Sequence, residues 1–178
     1  DGPKHNWPCQ RGFDDFYGLL KGAANYYHPT TLARNNERIE PSKGYYITDA
    51  ITDNAIRQIK EHKENSEGNP FFQYVAYTAP HWPLHAHPED IEKYKGRFDS
   101  GWDTLRKKRL ERMVNMGIIE ESWELSPRDP SQPAWDDAEH KAWESRRMEV
   151  YAAQIDRMDQ GIGRIIENLK SMGEWDNT

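Results

Sequence analysis

The chain has 178 residues, 30% of them charged and 35% hydrophobic, with a formal net charge of −6. That length is enough for one domain with a real core, and the acidic balance gives no basis for general nucleic-acid or membrane affinity. No apolar stretch approaches the roughly 20 residues of a membrane span, and 7 Trp, 9 Tyr and 5 Phe argue against disorder despite a mean hydropathy of −1.07.

Residues 1–12 read as loop. Cys9 is the one cysteine of the chain, so neither an intrachain disulfide nor a zinc knuckle follows. Arg11 nearby would lower a thiol pKa, yet a small residue packed in a loop is the favoured reading of Cys9. Phe13, Phe16 and Tyr17 fall at helical spacing and are expected to form one turn that plugs the loop onto a core. Asp14 and Asp15 read as a helix-start charge or a solvated pair rather than as metal ligands. Residues 19–44 are expected to be irregular, with a turn at Asn35-Asn36. Thr48-Asp49 is expected to cap a helix that runs to about Lys63 and carries Ala50, Ile51, Ala55, Ile56 and Ile59 as its apolar stripe.

The chain is organised around residues 70–83, P-F-F-Q-Y-V-A-Y-T-A-P-H-W-P. Six of the seven residues from 71 to 77 are apolar or aromatic, which predicts a short buried strand covered on both faces, as in an α/β sheet. Pro80 and Pro83 lack an N–H and fix their own φ, so the strand stops there. His81 is therefore expected at the C-terminal end of a central strand, where open α/β sheets bind ligands and where a histidine can titrate, donate a proton or hold an anion. His85 and His87 make no ligand spacing with it that is recognised for a metal.

A short helix is expected to open at Pro88 and run to about Lys95, and another over residues 101–116. The second carries the basic run Arg106-Lys107-Lys108-Arg109 and then Arg112. A polyanion site is conceivable there, but a solvated face with Asp103 and Glu111 as partners is favoured. Residues 117–140 are expected to be a loop that Trp123 and Trp135 anchor. The last helix spans about 139–172, with Met148, Tyr151, Ala152, Ile155, Met158, Ile162, Ile165, Ile166 and Leu169 as its stripe. Gly161 and Gly163 inside it imply close packing against a neighbour, and Gly173 is a natural C-cap.

Four stretches together resemble one family: R-G-F-D-D-F-Y-G at 11–18, Y-Y-I-T-D-A-I-T-D-N-A-I at 45–56, P-F-F-Q-Y-V-A-Y-T-A-P-H-W-P-L at 70–84 and Y-A-A-Q-I-D-R-M-D-Q-G-I-G-R-I-I at 151–166. They are similar, in order, to the type I sulfatases, arylsulfatase-like members of the alkaline phosphatase fold. The resemblance implies an α/β fold with helices packed on a central strand. It implies sulfate ester hydrolysis by a formylglycine nucleophile with calcium assistance. It implies that His81, the histidine of A-P-H, contacts the sulfate or the leaving-group oxygen and acts as a general acid.

The family's modified cysteine lies in C-x-P-S-R or C-x-A-S-R. Cys9 is followed by Gln10-Arg11-Gly12, so the nucleophile is not transferred to it. On the resemblance, the nucleophile and the paired Asp ligands should precede Asp1 and the D-N-G ligand motif should follow Thr178. Residues 1–178 are then an internal part of a catalytic domain, inactive alone, with calcium and formylglycine supplied outside the chain. The implied partner is a small-molecule or carbohydrate sulfate ester, with no nucleic acid and no membrane, and the implied compartment is periplasmic or secreted. Two other readings stay open: a phosphate or phosphonate ester hydrolase of the same superfamily, and a non-catalytic relative that binds anionic glycans.

Overall fold

The computed structural model describes residues 4–66 and 68–178. The chain divides into two compact units, Asp1–Ala86 with Gln154–Thr178, and His87–Ala153.

In the first unit, β1 (Tyr17–Leu19), β2 (Leu32–Arg34) and β3 (Glu37–Arg38) form an antiparallel sheet in that order, with Gly18 opposite Ala33 and Ala33 opposite Arg38. The expected helical turn at Phe13–Tyr17 is therefore a strand entry. Tyr17 pairs with Arg34 across the sheet, and its hydroxyl meets that of Tyr45 at 3.0 Å. Phe13 instead tilts onto Phe72, 6.4 Å between ring centroids. The Asn35-Asn36 turn is as expected. Asn35 takes φ +52°, which Asn tolerates well, and its Oδ1 accepts the Phe16 N–H at 2.8 Å.

Helix α1 (Ile47–Asn65) buries Ile47, Thr48, Ile51, Thr52, Ala55 and Ile59. Its N-cap is Tyr46, without a side-chain cap bond, and not Thr48-Asp49. A helix start leaves orphan N–H groups, and here the carbonyl of Tyr26 accepts the Ile47 N–H at 2.9 Å. A distant backbone carbonyl thus does at Ile47 what a local cap does elsewhere, and the helix starts earlier than the Thr-Asp pair suggests.

Residues 70–78 are extended, but they pair with no strand among the described residues. Their burial alternates, as the pleat of an extended chain dictates. Phe71, Gln73, Val75 and Tyr77 are half-buried, whereas Phe72 and Tyr74 are 82% and 73% exposed. Gln73 Nε2 donates to the carbonyl of Ala55 at 3.2 Å, and the Tyr77 hydroxyl meets Thr52 Oγ1 at 2.8 Å. The segment expected to be covered on both faces is covered on the α1 face alone. Apolar residues on two faces show only that both could be covered.

The last long helix, α2 (Lys141–Ser171), contributes residues 154–171 to this unit. Arg157 grips Asp49 of α1 through two bonds of 2.7 Å, and Arg164 pairs with Asp53. Gly161 lets the two helices approach. A Cβ there would stand 2.3 Å from Thr52 Oγ1 and 2.8 Å from the Tyr77 hydroxyl. Gly163 has nothing within 4 Å of its would-be Cβ, so close packing explains only the first of the two glycines. Gly173 closes the helix at φ +71°, with its N–H on the carbonyl of Lys170 and that of Glu174 on the carbonyl of Leu169. The core of the unit gathers Tyr26, Tyr46, Ile47, Ile51 and Ala79.

The expected stripe of α2 is split, with Leu169 buried, Ala152, Met158, Ile165 and Ile166 half-buried and four members open. Met148, Tyr151, Ile155 and Ile162 are exposed, while Ser145, Glu149, Ala153, Gln154, Gly161, Asn168 and Leu169 are buried. The buried positions include the polar residues Ser145, Glu149, Gln154 and Asn168 beside the apolar Ala153 and Leu169.

In the second unit, α3 (Pro88–Glu92) and α4 (Gly101–Asn115) accompany residues 141–153 of α2. The Gly96 N–H donates to the buried Glu149 carboxylate at 2.8 Å. Asp103, expected to face the basic run, instead binds Arg128 at 2.9 Å and the Trp135 N–H at 2.8 Å. Trp135 packs edge-on against Trp102, 4.7 Å between centroids, and so anchors its loop as expected, whereas Trp123 is 60% exposed.

Candidate active site around His81

The 78–86 loop leaves the extended segment through Thr78, Ala79 and Pro80, with cis peptides at Ala79–Pro80 and Trp82–Pro83. His81 is held at three points. Its N–H donates to the carbonyl of Thr78 at 3.0 Å, its own carbonyl accepts the Tyr26 hydroxyl at 2.8 Å, and its Nδ1 lies 2.7 Å from the carbonyl of Trp82. A carbonyl oxygen only accepts, so Nδ1 carries the proton of that bond. Nε2 has no hydrogen-bond partner among the described residues, and the residue is exposed. The sequence-predicted site residue is therefore presented with one ring nitrogen pinned and the other open, the arrangement that proton transfer at Nε2 requires.

Three tyrosines hold this loop, one carbonyl each. Beside the Tyr26 bond, the Tyr46 hydroxyl donates to the carbonyl of His85 at 2.8 Å and the Tyr27 hydroxyl to that of Ala86 at 3.0 Å. The His85 ring lies 6.0 Å from that of Tyr26 and 5.7 Å from that of Tyr27, and its Nδ1 accepts the Tyr26 N–H at 3.4 Å. Burial pulls the pKa of His85 below its ordinary value of 6.5. His85 is thus a packing residue of the loop. None of these tyrosines stands out as a site residue in the sequence. The available signal is that a buried Tyr needs a partner for its hydroxyl, and Tyr26-Tyr27 and Tyr45-Tyr46 are two such pairs.

The lowered pKa of His85 has a consequence for stability. The unfolded chain takes up its proton near the ordinary value, and the folded state takes it up only at lower pH, so this contribution is full above pH 6.5 and is lost as pH falls through the lowered folded value. Thermal melts of the full-length protein are expected to show a decline in Tm between pH 7.5 and 5 that is shallower in His85→Gln. Parallel profiles for the two proteins would rule the assignment out.

Cys9 is not equipped as a nucleophile. Burial first, and then the charges of Asp15 and Asp14, push its thiol pKa up, while Arg11 is turned to Asn6 at 2.9 Å. Among the described residues no three His, Cys, Asp or Glu side chains converge as a metal site. A cavity of about 280 Å³ is lined by Asp49, Arg157, Gln160, Gly161 and Arg164, but each arginine already has its carboxylate in Asp49 or Asp53, so the site is charge-balanced. No helix among the described residues is long and apolar enough to cross a membrane.

The mixed helix-and-sheet architecture is of the α/β class. A sulfatase family model matches residues 2–178, and the chain belongs to the sulfatase family. It is 37% identical, over 97% of its length, to an uncharacterized sulfatase of Schizosaccharomyces pombe, and 29% identical, over 96%, to an arylsulfatase of Klebsiella aerogenes. It covers 34% and 39% of those proteins, so it spans somewhat over a third of the length of these curated relatives. The fold is that of part of a crystal structure described as Ps i-CgsB in complex with k-i-k-neocarrahexaose, with a TM-score of 0.63 over 100% of this chain and 33% of that one, at 24% identity.

Proposed function

We propose that this chain is the part of a sulfuric ester hydrolase that delivers the general acid, and that the acid is His81. The observation that carries the reading is the geometry of the A-P-H-W-P-L loop, with Nδ1–H bound to the Trp82 carbonyl and Nε2 open. In sulfate ester cleavage the S–O bond to the leaving group breaks, and the departing oxygen gains negative charge. With the ring in its imidazolium form, both nitrogens protonated, a proton passed from Nε2 to that oxygen neutralises it and leaves the neutral ring with its Nδ1–H still on the Trp82 carbonyl. The chain's own residues do no more than hold and aim that proton. The nucleophile and a calcium ion, which would activate the sulfate, are proposed to come from the parent protein outside residues 1–178; the raised thiol pKa of Cys9 and the lack of a carboxylate cluster among the described residues support this.

The substrate class proposed is a sulfated carbohydrate or an aryl sulfate. Support comes from the arylsulfatase relative and from the oligosaccharide complex of the structural neighbour. Family membership favours sulfate over phosphate or phosphonate, and turnover over mere glycan binding. The open faces at Phe72 and Tyr74 and at Met148, Tyr151, Ile155 and Ile162 are proposed to pack against the remainder of the parent.

The test compares the full-length protein and residues 1–178 on 4-nitrophenyl sulfate and 4-nitrophenyl phosphate. Sulfate turnover by the full-length protein at least about 100-fold above phosphate, a gap of about 2.7 kcal/mol, and none by the 178-residue chain, is the expected result. Preference for phosphate, or turnover by the short chain, would overturn it.

A further inference from the structure

Beyond His81, no group of three His, Cys, Asp or Glu side chains converges among the described residues, but one buried hydroxyl reaches the loop. Tyr26 is 0% exposed. Its ring packs on that of Tyr46 at 5.7 Å, and its carbonyl receives the first N–H of α1. Its position is therefore set by the core and by a long helix rather than by the loop it contacts. From that fixed point its hydroxyl reaches the carbonyl of His81 and its N–H reaches the ring of His85, so one residue grips the loop at both ends.

We propose that Tyr26 is the positioning residue for His81: its hydroxyl fixes the plane of the His81–Trp82 peptide, and through it the acceptor that orients the imidazole. The inference rests on the reading of His81 as the general acid. The causal chain is short. The His81 carbonyl belongs to the peptide that precedes Trp82, and the Trp82 carbonyl is what holds Nδ1–H. Without the Tyr26 bond that peptide loses its fixed point in the core, a shift of its plane carries the Trp82 carbonyl with it, and the contact that aims Nε2 outward is weakened. A misplacement of about 1 Å in an acid or base costs on the order of 10²-fold in rate. Burial also holds the phenol of Tyr26 well above its ordinary pKa of 10, so the group remains a donor throughout the usual assay range.

Tyr26→Phe in the full-length protein removes one oxygen and keeps the ring contacts. Its expected effect is a loss of about 10–100-fold in kcat on phenyl sulfate, with KM within about threefold and a smaller loss on 4-nitrophenyl sulfate, whose leaving group needs its proton less. In the His81→Ala background the same change is expected to cost nothing further, because it acts through the ring already removed. Tyr17→Phe, which removes a hydroxyl bond to Tyr45 outside the 78–86 loop, serves as the control: it should lower Tm to a similar degree and leave kcat within about twofold. 4-Aminophenylalanine at position 26 restores an N–H donor and should recover kcat. Should Tyr26→Phe be insoluble, 4-fluorophenylalanine fills the same space without donating and takes its place.

A shift in Tm with kcat unchanged, an equal loss on both esters, or a full further loss in the His81→Ala background would each overturn the positioning role. Wild-type kcat in His81→Ala on both esters would instead overturn the reading of His81 itself, and the two failures are thereby told apart.

Discussion

His81→Ala in the full-length protein is expected to lower kcat about 10²–10³-fold on phenyl sulfate but only about 10-fold on 4-nitrophenyl sulfate. The larger loss corresponds to about 2.7–4.1 kcal/mol of transition-state stabilisation. The difference between the two esters is the informative quantity. A general acid contributes in proportion to the negative charge that the leaving oxygen must carry. Phenolate is a poor leaving group and needs its proton in the transition state, whereas 4-nitrophenolate spreads the charge into its own ring. KM is expected to change little, because Nε2 is aimed at an oxygen that becomes a good acceptor only as the S–O bond breaks. Equal losses on both esters would make His81 an electrostatic contact to the sulfate rather than an acid. A rise in KM with kcat retained would make it a binding residue. Both outcomes are read from the same initial-rate data. The mutation itself is mild for the fold, since His81 is exposed and the bonds of its N–H and carbonyl remain available to Ala.

The elements that were legible in the sequence are those with a long period. The helix after Tyr46, the helix over 101–115 and the long helix closed by Gly173 each repeat their pattern for several turns, and their boundaries fall within a few residues of expectation. The strands at Tyr17–Leu19, Leu32–Arg34 and Glu37–Arg38 are two or three residues long, too short for any alternation to register. The side of a helix that is covered is also not a local property. Of the expected stripe, Met148, Tyr151, Ile155 and Ile162 are exposed while Leu169 is buried, and the neighbouring Ala153, Gln154 and Gly161 are buried too, with Gln154 Nε2 donating to the Pro83 carbonyl at 3.5 Å. His81 could be placed from the prolines around it and from the resemblance of its motif. Its support could not. Tyr26 lies 55 residues from His81 in sequence and meets it through a single hydroxyl, for which no spacing rule exists.

Gly161→Ala and Gly163→Ala, two residues apart on one helix, are expected to move stability in opposite directions. In an open helix interior the exchange of Gly for Ala stabilises by about 1 kcal/mol, because glycine has more backbone freedom to lose. Gly163 is exposed and nothing stands within 4 Å of its would-be Cβ, so the full gain is expected there. At Gly161 the same methyl group would meet Thr52 Oγ1 at 2.3 Å and the Tyr77 hydroxyl at 2.8 Å. Thr52 is fully buried, and its Oγ1 is committed to the carbonyl of Thr48 at 3.0 Å and to Tyr77 at 2.8 Å. It cannot turn away without abandoning one of them. Overpacking costs about 1–3 kcal/mol, and the broken hydroxyl bond adds about 1 kcal/mol. Against the helix-propensity gain, the net expected loss is about 1–3 kcal/mol. Because Tyr77 precedes the turn that carries His81, Gly161→Ala should also lower kcat on phenyl sulfate, whereas Gly163→Ala should leave it unchanged. Denaturation midpoints of the two full-length variants decide the matter: if both move in the same direction, the close approach of the long helix to Thr52 is not what Gly161 is for.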